Sequence, residues 1–276
     1  MSSWVYDFEV YCKDWLVDFK NRETKQHFTF VNDNQAVRDF INQEDLYFGF
    51  NSKGYDQYIM KAVCNGFEPE ELKQLNDWII SGEQGWLYPP LRDCYFKFNN
   101  VDITDDMQMG LSLKAIEGHL GKPIVESSVP FDIDRKLTDD EIREVIKYCR
   151  YDVDMTDELI DLRKDYLNSK IMIGKMCGLS AAESLSKTNA KLTACLLGAK
   201  RKEWKDERDY QYPSNLKREL IPDEVFEFFD KLKDENIGDE VFNGKLEFAI
   251  GECKGVIGYG GIHSAIPNYR FGGDEK

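Results

Sequence analysis

Alternating apolar and polar positions open the chain. Residues 4–10, 14–20 and 26–32 are rich in β-branched and aromatic residues, with Lys13-Asp14 and Asn21-Arg22 where turns belong. They read as three strands of an antiparallel meander. The period then changes. Ala36, Val37, Phe40 and Ile41 share one side of a helix over 34–42, Leu46 to Phe50 is a short buried strand, and a helix runs from Tyr55 to Cys64 and stops at Asn65-Gly66. Residues 67–92 read as an inserted helical hairpin or loop, helical from Glu70 to Ile80. A fifth strand is expected within 96–104 and a short helix over 112–119. Thr138, with Glu141 three residues on, is a capping box for a long helix that passes Asp152 toward Tyr166. A meander followed by alternating helices and strands predicts an α/β fold with a mixed sheet flanked by helices.

After Gly178 the pattern shifts. Ala181 to Trp204 is expected as one helix, with Leu185, Leu192, Leu196 and Ala199 on its apolar side and Lys187, Lys191 and Lys202 on its basic side. Residues 212–222 read as a linker and 223–233 as a short helix. The end is a glycine-rich extension. No internal repeat and no low-complexity tract is present in the sequence.

Composition refines this. With 42% hydrophobic and 13% aromatic residues among 276, the chain has ample material for a core. No apolar run approaches membrane-spanning length, and the start has no basic region followed by an apolar run, so a cytoplasmic protein is expected. Seven cysteines, scattered and without a Cys-x-x-Cys, read as reduced thiols rather than a disulfide framework or zinc site. The net charge of −15 argues against nucleic acid as a partner, but its distribution softens that objection. Residues 163–218 hold 13 Lys/Arg against 6 Asp/Glu, a local +7 that leaves the rest at −22. An acidic body with one basic segment fits a metal site beside a polyanion track; a solvated helical face fits as well.

The candidate chemistry begins on the first strand. Asp7 and Glu9 are two residues apart and so project from the same face. Two like charges in an apolar strand are costly unless a cation neutralises them. Asp56 lies where the fourth strand runs into a helix, a position that also suits a capping residue. Tyr148 and Asp152 are four apart on the long helix and share a face, which a half-buried aromatic and a surface acid would do as well.

In order, these are strand Asp-x-Glu, then Asn51-x-x-x-Tyr55-Asp56, then helical Tyr-x-x-x-Asp. The set resembles the tyrosine subclass of the DEDD exonucleases and the 3′–5′ exonuclease domain of DNA polymerases. That resemblance implies a ribonuclease H-like fold and two Mg²⁺ (or Mn²⁺) ions held by Asp7, Glu9, Asp56 and Asp152. Asp7 would bridge both ions, Glu9 and Asp152 would complete the site for the attacking water, Asp56 would hold the second ion, and Tyr148 would orient the water. The histidine subclass would need His where Lys147 stands.

Ser112-Leu113-Lys114-Ala115-Ile116 is similar to the Ser/Thr-Leu-x-x-hydrophobic motif of protein-primed phage family B polymerases. By that likeness Ser112 and Leu113 touch single-stranded DNA, and Asn51 and Tyr55 lie near its 3′-terminal nucleotide; a Ser cap with a core Leu is the alternative. The family's lysine ahead of the last motif matches Lys136 best. Lys187 and Lys191 are the choice for phosphate contacts outside the site. Gly258-Tyr259-Gly260-Gly261 resembles the Tyr-x-Gly-Gly segment that joins exonuclease to polymerase, one residue short; a hairpin turn would also explain it.

The expectation is therefore an exonuclease domain over 1–178 and, over 179–276, a helical, basic linker leading into a polymerase-joining segment. The polymerase acid motifs are not in this sequence, so proofreading of a single-stranded DNA 3′ end is expected rather than synthesis. A polymerase domain or replication partner is implied, and no membrane. A stand-alone exoribonuclease with the same acids, and a non-catalytic module that binds single strands or a polymerase, remain open.

Overall fold

The computed structural model describes residues 2–107, 110–199, 212, 214–231, 244–251, 253–258 and 261–264. These fall into two compact units, Met1–Ala199 and Lys200–Lys276.

The first unit is built on a five-stranded mixed sheet. β1 (Ser3–Val10), β2 (Trp15–Asn21), β3 (His27–Val31), β4 (Leu46–Gly49) and β5 (Asn99–Asp102) lie in the order β3-β2-β1-β4-β5. β1 pairs antiparallel with β2 and β2 with β3, as the turn residues between them dictate; β1–β4 and β4–β5 are parallel. The fifth strand is thus shorter than expected from residues 96–104. Phe96 and Phe98 instead pack against the aromatic core that Tyr6, Phe19 and Tyr47 help to build.

The period of two in β1 divides the core. Tyr6, Phe8 and Val10 face one layer with Trp15, Val17 and Phe19 of β2, covered by α1 (Asn34–Phe40), α2 (Asp56–Cys64) and α3 (Pro69–Ile80). Val5 faces the other, with Leu46 and Phe48 of β4 and Val153, Leu159 and Ile160 of α5 (Asp139–Leu162). Asp7 and Glu9 share the face of Val5. α4 (Leu113–His119) packs on α5.

α5 opens with the expected Thr138–Glu141 capping box but ends at Leu162, short of Tyr166; after Arg163 a separate helix, α6 (Lys164–Met176), begins. The single helix expected from Ala181 to Trp204 is in fact two, α7 (Ala181–Ser186) and α8 (Asn189–Leu196), with residues 200–204 outside the described set. The cause is local. Lys187 is extended, and the Thr188 side chain accepts the Lys191 amide as the cap of a new helix. Leu185 enters the second core layer, and Ser184 packs so closely on Gly174 of α6 that a Cβ there would meet its Oγ. α7 and α8 thus belong with the first unit rather than with a segment that starts at 179.

Three cations of β2 and the β2–β3 turn clamp α5 onto the sheet. Lys20, Arg22 and Lys25 all reach Asp157, at 2.9, 2.8 and 2.9 Å. They hold this buried carboxyl down to about 2 against the cost of burial.

The second unit contains α9 (Asp223–Lys231) and a separate antiparallel sheet, β6 (Leu246–Ile250), β7 (Cys253–Gly258) and β8 (Gly261–Ser264). Gly258 and Gly261 are paired across the β7–β8 connection. Tyr259 lies outside the described residues. Among the described residues, no helix is long and apolar enough to cross a membrane.

Candidate metal centre

The site forms where the parallel ladder ends. The last β1–β4 rung joins Val5 to Phe48, and β4 then turns away through Gly49 and Asn51, whose φ of 54° is left-handed. Gly49 is required by close approach, since a Cβ there would lie 2.6 Å from the Ser52 Cβ. A crevice therefore opens beyond the carboxyl ends of two parallel strands, where α/β sheets place their ligands.

Three elements send carboxylates into it, and a fourth sends a cation. β1 supplies Asp7 and Glu9, the latter 6% exposed. α2 supplies Asp56. This residue does not cap its helix: the cap is Tyr55, and Asp56 instead accepts the Phe8 amide of β1 at 3.2 Å. α5 supplies Asp152 and, one turn earlier, Tyr148. α4 supplies a cation that the sequence reading passed over. Lys114 donates to Asp152 Oδ1, lies 3.5 Å from Glu117 Oε1, and sits 4.8 Å above the Tyr148 ring.

The electrostatics separate this cluster from an ordinary surface ion network. Asp18 is paired with Asp7 across β1 and β2 and is fully buried, but it is satisfied by His27 (2.5 Å), Thr29 (2.6 Å) and Arg150 (3.2 Å). Asp7 has the Cys149 thiol, which donates to its backbone oxygen at 3.4 Å and lies 3.8 Å from its Oδ2. Burial, then the charges of Asp56, Glu9 and Asp152, push the Asp7 carboxyl well above the usual range, with Lys114 opposing. Burial followed by Asp152 and Asp56 does the same to Glu9. Burial takes Asp56 up to about 7 although the Phe8 amide pulls the other way. Asp152 is raised by burial and relieved by Lys114 and Tyr148. Burial, with Asp152 and Glu9 next, raises Tyr148 so far that its hydroxyl keeps its proton at any working pH.

Asp7, Glu9, Asp56, Tyr148 and Asp152 line one cavity of about 620 Å³, together with Asn51, Tyr55, Ser112 and Leu113 and an apolar set that includes Phe50, Met107 and Leu111. Nine of the residues picked from sequence thus meet there: Asp7, Glu9, Asn51, Tyr55, Asp56, Ser112, Leu113, Tyr148 and Asp152. Ser112 is also the cap of α4, its oxygen accepting the Ala115 amide at 3.2 Å. The Tyr55 hydroxyl reaches Asn76 of α3 at 2.6 Å.

Lys136, Lys187 and Lys191 do not line the cavity. Lys136 is exposed before the start of α5; Tyr148 is nine positions after Asp139 along that helix, a rise of about 14 Å. Lys187 lies at the break between α7 and α8, and Lys191 is exposed in the first turn of α8. Lys114, Glu117 and Cys149 were missed. The spacing of Lys114 and Glu117 is a readable helical pair, but which face it presents to Asp152 is set by tertiary packing.

The donors suit a hard divalent ion. Four carboxylates offer oxygen ligands, and their mutual repulsion is the charge deficit a cation would relieve. Oxygens of Asp7 and Glu9 and the Cys149 sulfur lie within 4.8 Å of one another, but a buried thiol whose pKa is pushed up is a poor partner for such an ion. No family model matches the chain, and no curated protein matches it.

Proposed function

We propose that the chain is a metal-dependent 3′–5′ exonuclease of ribonuclease H-like fold acting on single-stranded DNA 3′ ends, the proofreading part of a phage-type family B polymerase. The observation that carries this reading is the convergence of Asp7, Glu9, Asp56 and Asp152, with the Tyr148 hydroxyl, in one cavity from β1, α2 and α5. Packing alone gives no reason to gather four acids, three of them buried, where their charges raise the pKa of Asp7 and Glu9.

Asp7, Glu9, Asp56 and Asp152 would hold two Mg²⁺ or Mn²⁺ ions. When bound, such a pair supplies charge stabilisation to both the attacking and the leaving oxygen of an in-line phosphodiester hydrolysis. The chain's own groups do the rest. Tyr148 keeps its proton and orients the attacking water through its hydroxyl beside Asp152, acting as a positioning donor and not as a base. The Ser112 oxygen accepts the Ala115 amide, which leaves its O–H to donate to a phosphate. Leu111, Leu113 and Phe50 offer apolar surface to an unstacked terminal base, and Tyr55, its hydroxyl engaged by Asn76, offers a ring face.

The test is a 5′-labelled single-stranded oligonucleotide, as DNA and as matched RNA, incubated with Mn²⁺ or with EDTA. A ladder shortening from the 3′ end of the DNA, absent in EDTA and in Asp7→Ala, is expected. Faster loss of the RNA would move the substrate class. Binding that persists in EDTA with no cleavage when Mn²⁺ is restored would make the chain a binding module.

A further inference from the structure

Glu117 is an acid near the centre that the proposed chemistry leaves unused. It is 1% exposed, and neither of its carboxylate oxygens has a hydrogen-bond partner. A buried carboxylate without hydrogen bonds is costly and needs a reason. It does not line the cavity, so it is not a ligand there. Its nearest cation is Lys114, three residues earlier on the same face of α4, whose ammonium is 3.5 Å away but engaged with Asp152.

We propose that Glu117 is the second seat of the Lys114 ammonium, which leaves Asp152 for Glu117 when a divalent cation takes Asp152. The proposal rests on the metal reading above. A lysine ammonium on Asp152 Oδ1 and a divalent ion on the same carboxylate repel each other at close range. Lys114 therefore acts as the counter-ion of the metal-free centre and must move for the centre to fill. A four-carbon stem lets it move without backbone change. The Tyr148 and Tyr151 rings, 4.8 and 5.6 Å from the ammonium, give it a π-surface along the way. Glu117 Oε1 already lies 3.5 Å from the ammonium and, among the described residues, no other group holds this carboxylate, which keeps that displacement short, so Glu117 is a positioning residue that sets metal affinity through the lysine.

The experiment is a double-mutant cycle on Mn²⁺ affinity, read from the free Mn²⁺ signal in electron paramagnetic resonance. Glu117→Gln is expected to weaken Mn²⁺ binding about tenfold. Lys114→Met is expected to tighten it by a similar factor. In the Lys114→Met background Glu117→Gln should have little effect, because no ammonium is left to seat. If Glu117→Gln weakens binding equally in both backgrounds, or in neither, the residue acts by direct charge or by structure and the proposal falls while the metal site stands. If the unsubstituted chain binds no Mn²⁺, the metal reading and this proposal fall together. Should Glu117→Gln not fold, Glu117→Met, apolar and of similar volume, carries the same comparison.

Discussion

Asp7 and Asp18 make the sharpest comparison at the scale of single residues. They are neighbours across the same two strands; one is fully hydrogen-bonded to three partners, the other is held among acids. Asp7→Asn should therefore have two opposite effects. Under the proposed exonuclease reading, turnover should fall by about 100-fold or more, since charge stabilisation worth several kcal/mol is lost. The metal-free protein should gain stability, by about 2–4 °C in unfolding midpoint for each kcal/mol of relieved repulsion. Asp18→Asn should do the reverse: it lowers the midpoint and leaves metal affinity in place. Tyr148→Phe keeps the ring under Lys114 and removes only the hydroxyl, so Mn²⁺ affinity should hold while turnover drops by about 10²-fold. Rate assays paired with thermal melts of the same variants check all three.

At the scale of elements, the turn from β4 into α2 decides whether Asp56 reaches the cavity. Gly49→Ala would push a Cβ into Ser52 and displace this turn, so it should cost about 1–3 kcal/mol and weaken Mn²⁺ binding as well. Gly174→Ala, which overpacks α6 against Ser184, should cost a similar amount in urea unfolding and leave Mn²⁺ affinity unchanged. The elements that carry the acids were legible because each declares itself locally. β1 shows its period of two, α2 its Asn-Gly stop, and α5 its Thr138–Glu141 box. What was not legible depended on packing. The Ala181–Trp204 stripe hid a break that only the extended Lys187 and the Thr188 cap create, although Thr188 was a readable cap. Lys114 lay inside a motif already noticed, but its approach to Asp152 follows from how α4 docks on α5. Lys136 fitted by order along the chain, and it does not line the cavity.

For the molecule as a whole, the raised carboxyls fix the direction of the pH dependence. Asp56 titrates near 7 when folded and near its ordinary 3.8 when unfolded, so between about pH 4 and 7 the folded state binds more protons. Stability in EDTA should therefore fall as pH rises through that window. Asp157 and Glu141 are shifted the other way, to about 2, and their contribution is lost only as pH falls below about 4. The metal-free melting midpoint should peak near pH 4–5, and saturating Mn²⁺ should reverse the slope above it, because the ions bind the deprotonated form. Thermal melts across pH with EDTA or Mn²⁺ read both arms. The clamp of Lys20, Arg22 and Lys25 on Asp157 has a further consequence. It should place the acid-bearing helix among the last parts to exchange its amide hydrogens, whereas α4, seven residues long and docked on α5, should exchange by local opening. If so, Lys114 can leave Asp152 by a local opening of α4 while the acids on β1, α2 and α5 stay assembled, and hydrogen exchange that is slow in α5 and fast in α4 is the result that would show it.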